Sequence, residues 1–294
     1  MAATRHRNTS TDKPMESVTT IAGLRSRTGH WNKQGRRIAF VPTMGNLHAG
    51  HLRLVQHARA IADHVVVSVF VNPMQFGPDE DFESYPRTLE DDKAKLEQEQ
   101  VDPLFAPAVD LIYPSGLNET TRVQVPGVGE GLEADSRPGF FVGVATVVAR
   151  LFNLVQADIA VFGEKDYQQL AVIRRMVKDL CWPIAIEAVP TVREADGLAM
   201  SSRNRYLSAE QRKRAPLLYQ ILCQAAGGVR GQQRACAELE AQAIQRLEQA
   251  GFTPDYVSIR DAATLQPIEP GNTRAVILAA ARLGRARLID NVSV

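Results

Sequence analysis

The strongest constraint on the fold is an apolar run at residues 64–71, which reads His-Val-Val-Val-Ser-Val-Phe-Val. Its β-branched residues follow one another almost without a polar break, which is typical of a strand buried on both faces of a parallel sheet. Shorter apolar runs at residues 38–41 and 158–162 lead into glycine-bearing turns and then helical spacing. We therefore expect an α/β chain with a Rossmann-like parallel sheet, and we expect Pro42 to end its strand.

Composition changes beyond Leu207, and we expect two domains after a polar leader, with the boundary near residues 189–191. The later domain has two stretches of helical spacing and three strand-like runs, so we expect a smaller α+β unit that acts as a lid. The predicted divisions are a disordered leader at residues 1–15, the Rossmann-like domain at 16–189 and the C-terminal domain at 190–294. The C-terminal helices are predicted at 208–226 and 232–249, and its strands at 256–259, 275–281 and 286–289.

Net charge, apolar runs and cysteine content indicate which partners and compartment to expect. The 294-residue chain has 34 Lys and Arg against 33 Asp and Glu, so its net charge of +1 gives no electrostatic indication of nucleic acid binding. No apolar run approaches the roughly 20 residues of a membrane span, and the polar N-terminus lacks the apolar core of a secretory signal. Three cysteines without metal-like spacing indicate a reducing compartment. We expect a cytoplasmic protein.

A turn rich in small residues follows the first apolar run. Gly45 permits a tight turn and Gly50 stands where a helix can begin. The first N–H groups of such a helix have no partner and its dipole end is positive, so the junction predicts a phosphate site. His48 and His51 lie on one side of this turn. Imidazole can donate to phosphate oxygens, and a protonated imidazole stabilises charge that develops there.

Polar side chains also follow the run at residues 64–71. Asn72 and Gln75 come at the carboxyl end of this predicted strand, where open α/β sheets bind ligands, so both are candidates to hydrogen-bond a small polar substrate. Asn72 precedes a proline, and simple turn chemistry is the alternative explanation. Further on, Asp91 and Asp92 lie in the first turn of a helix predicted to begin at Thr88. They suit the helix dipole, and alternatively they hold water around a magnesium ion on ATP phosphates.

A second strand–glycine–helix junction begins at Gly163. Lys165 can place a point charge on a phosphate, and Asp166 can accept from ribose hydroxyls or simply cap the helix. Gln169, one turn on, can reach a carboxylate or hydroxyl of a substrate. Later, the sequence Ser-Ser-Arg at residues 201–203 supplies two hydroxyls and a guanidinium, which predicts a mobile anion clamp.

The apolar stretch at residues 142–155 predicts a buried helix. It carries small residues at Gly143, Ala145 and Ala149. Such a face is compatible with packing at an oligomer interface.

Four motifs occur together in an order and spacing that resemble the pantoate–β-alanine ligase family. They are Pro-Thr-Met-Gly with His-Ala-Gly-His at residues 42–51, Val-Asn-Pro-Met-Gln-Phe at 71–76, Gly-Glu-Lys-Asp-Tyr-Gln-Gln at 163–169 and Ser-Ser-Arg-Asn at 201–204. His-x-Gly-His alone marks only the nucleotidyltransferase superfamily that includes class I aminoacyl-tRNA synthetases. The resemblance extends from about residue 16 to the end of the chain.

The resemblance implies that ATP and (R)-pantoate form pantoyl adenylate and pyrophosphate, and that the β-alanine amine then displaces AMP. It implies that His51 is the proton donor, that Gln75 and Gln169 bind pantoate, that Gln75 also faces β-alanine, and that magnesium arrives with the nucleotide. It also implies a homodimer. The implied catalytic residues are His48, His51, Lys165 and Arg203. The implied substrate residues are Asn72, Gln75, Gln169 and Met44. The implied ATP-binding residues are Met44, Gly45, Asn46, Leu47, His48, Ala49, Gly50, His51, Gly163, Glu164, Lys165, Asp166, Val192, Met200, Ser201, Ser202 and Arg203.

One position departs from the family pattern, since Phe140 stands where the family usually has histidine after Arg-Pro-Gly. Two other functions are weighed against the ligase. An adenylyl transferase acting on a phosphorylated substrate would need a second basic cluster, whereas Asn72, Gln75 and Gln169 are neutral. A non-catalytic nucleotide-binding protein would have lost a phosphate ligand, and the four motifs are intact.

Overall fold

The computed structural model describes residues 15–77, 80, 82–231, 235–268 and 274–294. Only Met15 of the predicted leader lies within these ranges. The strands in the described residues are β1 (Glu16–Val18), β2 (Ile38–Thr43), β3 (His64–Val69), β4 (Pro103–Phe105), β5 (Ile159–Gly163), β6 (Ala185–Val189), β7 (Thr253–Asp261), β8 (Ala275–Leu283) and β9 (Ala286–Ser293). The α-helices are α1 (Ile21–Lys33), α2 (Ala49–Ile61), α3 (Leu89–Gln98), α4 (Val109–Ile112), α5 (Glu133–Ser136), α6 (Phe140–Val155), α7 (Tyr167–Asp179), α8 (Ala209–Arg214), α9 (Leu217–Arg230) and α10 (Cys236–Gln249).

The first six strands form one parallel sheet in the order β1-β4-β3-β2-β5-β6. This confirms the predicted Rossmann-like architecture. From β2 the chain proceeds to β3 and β4 on one side, and β5 and β6 lie on the other. The strand order therefore reverses between β2 and β5, and a crevice at such a switch point is where open α/β sheets bind ligands.

Helices cover both faces of this sheet, as the unbroken apolar runs predict. Ala39 and Val41 of β2 pack in one cluster with Val55 of α2 and Leu96 of α3. The alternate residues of the strand, Ile38 and Phe40, pack on the other face in a cluster with α1, α6 and α7. Each such large apolar side chain removed from water contributes about 1.5–3 kcal/mol, so both faces stabilise the sheet.

Pro42 does not end its strand, and that prediction is wrong. Strand β2 continues to Thr43, with Pro42 paired to Ser68 of β3 in parallel register. On its other side β2 pairs with β5 only at Ala39 and Phe40. The proline nitrogen, which has no hydrogen to donate, thus lies beyond the pairing with β5 and costs the sheet no hydrogen bond there.

Helix α6 is buried as predicted, but within the chain itself. Eleven of its 16 residues are buried, among them Gly143, Ala145 and Ala149. A Cβ atom added to Gly143 would lie 2.2 Å from the carbonyl oxygen of Met74, so glycine allows the helix to pack directly on the 3₁₀ turn Pro73–Gln75. These small residues pack in the core of the chain itself, and the homodimer stays a prediction.

The C-terminal unit is an antiparallel sheet, β7-β8-β9, backed by α9 and α10, which confirms the smaller α+β unit. The predicted capping box of Ser208 and Gln211 begins α8. The helix predicted at 208–226 is split before α9 because Pro216 cannot continue the backbone ladder. Residues 232–234 of the next predicted helix lie outside the described residues. Val276 and Leu278 of β8 belong to the core cluster of the parallel sheet, so the two units share apolar packing. The division at residues 189–191 stays a prediction.

No helix among the described residues is both long enough and apolar enough to cross a bilayer.

Candidate active site

Three N–H groups of the turn after β2 already donate to side-chain acceptors. The N–H groups of Asn46 and Leu47 donate to the two carboxylate oxygens of Asp92, at 2.8 and 2.7 Å. Gly45 N donates to Thr43 Oγ1 at 3.2 Å. These N–H groups belong to the turn before the helix, and a buried carboxylate from α3 accepts them. Within the helix, the prediction of unpaired N–H groups is wrong for Gly50, whose N–H donates to Nδ1 of His48.

The two histidines cap α2 reciprocally. Nδ1 of His48 accepts from Gly50 N at 3.1 Å, and Nδ1 of His51 accepts from His48 N at 3.4 Å. This is a capping box in which imidazoles replace the usual Ser and Glu. The ring centroids are 4.2 Å apart. Since Nδ1 accepts a hydrogen bond in both rings, each neutral ring carries its proton on Nε2.

Both rings are neutral at physiological pH. Burial, with a smaller contribution from the charge of Lys165, lowers the pKa of His48 from 6.5 to about 4. Burial and then the charge of His48 lower the pKa of His51 to about 3. The idea of a protonated imidazole is thus corrected for this form of the chain. A neutral Nε2–H is still a hydrogen-bond donor, and it needs no proton from solvent to act as one.

Helix α3 braces the turn at two points. Asp92 is fully buried, and besides the two N–H groups its carboxylate accepts from the Thr88 hydroxyl at 3.2 Å. One turn later, Lys95 Nζ donates to Leu47 O at 2.7 Å. Asp91 is exposed. Asp92 is not among the residues that line the cavity, and its role toward magnesium stays a prediction. In the described part of the chain, no three His, Cys, Asp or Glu side chains gather as they would around a metal.

Gln75 reaches the crevice because Asn72 orients it. The amide nitrogen of Asn72 donates to Gln75 Oε1 at 3.0 Å and to Gly143 O at 3.1 Å. Its oxygen accepts from Tyr113 Oη at 2.7 Å and from Met74 N at 3.3 Å. Asn72 is fully buried and does not line the cavity, which favours the alternative of turn chemistry, and its contact with substrate stays a prediction. The amide oxygen of Gln75 accepts from Asn72, and its NH₂ group donates to no other described residue.

The turn after β5 is held by its carbonyls. Glu164–Asp166 is a 3₁₀ turn that leads into α7. Asn291 of β9 donates from its amide to the carbonyl oxygens of Glu164 and Lys165, at 2.8 and 3.0 Å. Asp166 is the N-cap residue of α7, but its side chain makes no capping hydrogen bond. Lys165 Nζ lies 3.8 Å from Asp166 Oδ2.

The Ser-Ser-Arg segment follows a small hairpin. Arg193 and Ala199 form an antiparallel bridge, and Met200 N donates to Val192 O at 2.9 Å. Ser201 caps the 3₁₀ turn Ser202–Tyr206 by accepting from Arg203 N at 3.2 Å. The segment therefore has a defined conformation in which Ser201 and Arg203 line the crevice.

These elements surround one cavity of about 470 Å³ at the switch point of the sheet. Six cationic side chains and four carboxylates line it, which gives it a net positive charge suited to an anionic ligand. The predicted site residues that line it are Met44, His51, Gln75, Lys165, Asp166, Gln169, Ser201 and Arg203. The predicted residues that are not among those lining it are Gly45, Asn46, Leu47, His48, Ala49, Gly50, Asn72, Gly163, Glu164, Val192, Met200 and Ser202.

Several lining residues were not predicted from the sequence. Arg137 forms a double contact with Glu80, at 2.7 and 2.6 Å, and donates to Gln75 O at 2.9 Å. Arg287 of β9, in the C-terminal unit, donates two hydrogen bonds to Glu133 of α5, at 2.6 and 2.9 Å. The Arg-Pro-Gly sequence at 137–139 was a visible signal for the first group. Nothing local marked Arg287 as a residue of the site, because its partner Glu133 lies 154 residues earlier.

Phe140, which stands where the family usually has histidine, also lines the cavity. The guanidinium of Arg137 lies 3.8 Å from the centroid of the Phe140 ring. Phe140 therefore supplies a flat apolar support for a cation.

The fold and this crevice define the class first: an α/β enzyme with an anion-binding site at the carboxyl ends of parallel strands. A model of the family described as pantoate-beta-alanine ligase matches residues 16–293. The pantothenate synthetase of Azotobacter vinelandii is 55% identical over 280 residues, which cover 95% of this chain and 99% of the relative. That of Pseudomonas aeruginosa is 54% identical with the same coverage.

Solved structures agree with the sequence comparison. A pantothenate synthetase from Thermus thermophilus superposes with a TM-score of 0.87 at 50% identity, covering 95% of this chain and 99% of that one. A pantoate-beta-alanine ligase from Francisella tularensis, complexed with beta-gamma ATP and beta-alanine, gives 0.79 at 34% identity, covering 95% and 97%. The chain belongs to the pantoate–β-alanine ligase family. It is an enzyme, the ligase that joins pantoate to β-alanine with ATP.

Proposed function

We propose that the chain works through a pantoyl adenylate in two half reactions. A carboxylate oxygen of (R)-pantoate attacks the α-phosphorus of ATP, and the bond to the leaving pyrophosphate breaks. The amine nitrogen of β-alanine then attacks the acyl carbon, the bond from that carbon to the phosphate oxygen breaks, and AMP leaves. The amine proton passes to solvent. No enzyme nucleophile takes part.

The observation that carries this proposal is the pair of neutral, Nδ1-anchored imidazoles next to Lys165. Charge grows on the phosphate oxygens as pantoate attacks, and donors that are already oriented stabilise it without reorganisation. His51 lines the cavity, and the ring of His48 contacts it at a tilt of 45°. We assign the Nε2–H groups of both rings, with Lys165 and Arg203, to the α-phosphate and the leaving pyrophosphate.

We propose that pantoate binds between Gln75 and Gln169. The NH₂ group of Gln75 is held by Asn72 so that it donates into the cavity, which suits a carboxylate or a hydroxyl. Gln169 lines the same cavity from α7. Met44 of the first turn closes this side. Asn72 enters the proposal as the residue that positions Gln75.

We propose that ATP lies along the two junctions and the clamp. Its phosphates face His51, Lys165, Ser201 and Arg203, and Asp166 accepts from the ribose. Magnesium is part of the nucleotide substrate in this scheme, bound by phosphate oxygens and water, because the chain offers no cluster of metal ligands in its described residues. The other predicted ATP-binding residues lie in the first turn, the second turn and the hairpin. They surround ATP and offer it main-chain groups.

We also propose a homodimer in the cytoplasm. The family resemblance supports the dimer. The compartment is supported by Cys181, Cys223 and Cys236, which are free thiols, as expected of a reducing environment. Light scattering of the purified chain at several concentrations tests the dimer, and a monomer throughout would contradict it.

The test of the mechanism is isotope exchange between pyrophosphate and ATP, with pantoate present and β-alanine absent. Exchange that requires pantoate is expected, because only a reversible adenylate returns labelled pyrophosphate to ATP. Exchange with a different acid would replace the acyl substrate. The enzyme could also form product from all three substrates and yet show no exchange between pyrophosphate and ATP when β-alanine is absent. That result would contradict a freely reversible adenylate step.

A further inference from the structure

Two adjacent side chains of β9, Asp290 and Asn291, lie between the two segments assigned to the phosphates. They line the cavity, and they are only 4% and 7% exposed. Asn291 uses both N–H donors of its amide on the carbonyl oxygens of Glu164 and Lys165. The turn that carries Lys165 is therefore tied to the C-terminal sheet through one side chain.

Asp290 ties the clamp hairpin to the same strand. Its Oδ2 and Oδ1 accept from Arg193 Nη1 and Nη2 at 2.6 and 2.8 Å, and Oδ1 also accepts from Asn291 N at 2.7 Å. The Arg193 guanidinium also donates to Gly197 O at 3.1 Å, and it lies 3.5 Å from the ring centroid of Tyr219. Arg193 is thus fixed on several sides, and it stands at the base of the hairpin that leads to the Ser-Ser-Arg segment.

We propose that Asp290 and Asn291 are a positioning pair that sets the separation between Lys165 and Arg203 and so determines how tightly ATP is held. The pair acts through the two segments it binds. This inference rests on the proposed phosphate roles of Lys165 and Arg203. Its physical basis is that a shift of about 1 Å in a charged contact can change a rate by as much as 10²-fold.

The sharpest variant is Asn291→Asp, which keeps the shape of the side chain and reverses its hydrogen-bonding polarity. A carboxylate facing two carbonyl oxygens repels them, so the Lys165 turn must move. Asn32→Asp is the matched control, because Asn32 is an exposed residue whose amide also donates to a carbonyl, that of Gln156 at 3.4 Å. Arg193→Lys is a second variant that keeps the charge and loses the two-point contact with Asp290.

We expect Asn291→Asp to raise the KM for ATP about tenfold or more, the size of effect that a lost buried hydrogen bond produces. Single-turnover formation of the adenylate should slow, while capture of preformed adenylate by β-alanine and the KM for β-alanine change by less than about twofold. Arg193→Lys should act in the same direction and less strongly, and Asn32→Asp should match wild type. Thermal unfolding of the same preparations separates positioning from loss of fold.

Three results would overturn the inference: a folded Asn291→Asp enzyme with an unchanged KM for ATP, equal slowing of both half reactions, or an effect no larger than that of Asn32→Asp. If Asn291→Asp does not fold, Arg193→Lys decides by the same measurements. Pantoate-dependent exchange in the wild-type chain tests the adenylate mechanism separately. Its absence defeats the proposed mechanism, whereas its presence with unaltered variants defeats only the positioning pair.

Discussion

The two strand–turn–helix junctions face the same cavity, but they are built in opposite ways. After β2, side chains accept the N–H groups of the turn and of the helix start: Asp92 of α3 accepts two, and His48 and His51 accept one each. After β5, the cap residue Asp166 makes no side-chain capping bond, and the turn is held instead by Asn291 through two carbonyls.

The difference assigns different chemistry to each junction. The first presents side-chain donors, the imidazole Nε2–H groups, on a backbone that is already satisfied and therefore rigid. At the second junction, Asn291 of the C-terminal unit sets the position of the turn that carries Lys165. A preorganised donor is most valuable where charge develops during reaction. We therefore expect the chemical step at the first junction and nucleotide holding at the second.

The largest expected effect comes from His51→Asn. The asparagine oxygen can take the place of Nδ1 and still accept from His48 N, so the cap survives while the Nε2–H is lost. We expect adenylate formation to fall by about 10²–10³-fold, as for loss of one oxyanion-type donor, with thermal unfolding near wild type. Rapid-quench measurement of adenylate checks the rate. His57→Ala, on the same helix, is the control, and near-wild-type adenylate formation in His51→Asn would remove His51 from the mechanism.

Asp92→Asn tests the closed backbone of the first junction. An amide can accept at only one of the two positions and presents N–H to the other donor, so we expect a loss of about 1–3 kcal/mol in the free energy of unfolding. We also expect adenylate formation to slow about tenfold as the histidines shift. Denaturant titration and single turnover measure both, and the exposed Asp91→Asn should resemble wild type. A changed magnesium requirement in Asp92→Asn, with unchanged stability, would instead restore its role near the metal.

Acid should weaken the first junction in particular. The pKa values of His48 and His51 are about 4 and about 3 in the folded chain, below 6.5, so the unfolded chain binds protons first as the pH falls. The stabilisation from keeping both rings neutral is complete above about pH 6.5 and is lost toward pH 4. We expect the loss to be on the order of 1–3 kcal/mol, reduced because the rings border an open cavity. Denaturant titrations of wild type and of His48→Asn/His51→Asn across this range should diverge, and parallel profiles would contradict the lowered pKa values.

The sequence predicts those features of the two junctions that depend on residues close together in the chain. Uninterrupted apolar runs predict the buried strands, and glycine with His-x-Gly-His predicts the first junction, because strand period and turn chemistry depend on neighbouring residues. The Asn-Pro sequence at Asn72 predicts turn chemistry as one of two explanations for this residue. It does not predict the hydrogen bonds of Asn72 with Tyr113 and Gly143.

What the sequence does not predict depends on contacts between distant segments. Asp92 closes a turn 45 residues before it, and Asn291 reaches a turn 127 residues before it. The spacing of apolar residues along the sequence does not indicate which distant segments contact each other. The same reason explains why the sequence does not show what the small residues of α6 pack against, since the close approach of Gly143 to Met74 joins segments about 70 residues apart.

The smallest expected effect concerns the cap of the second junction. Because Asp166 makes no capping hydrogen bond, Asp166→Ala should change the free energy of unfolding by less than about 0.5 kcal/mol. Ser208→Ala is the matched control: Ser208 Oγ accepts from Gln211 N at 3.3 Å in α8, and losing such a cap costs about 0.5–2 kcal/mol. Denaturant titration of both variants makes the comparison. If Asp166→Ala proves as destabilising as Ser208→Ala, the second junction is also closed by its own side chains, and the contrast between the two junctions does not hold.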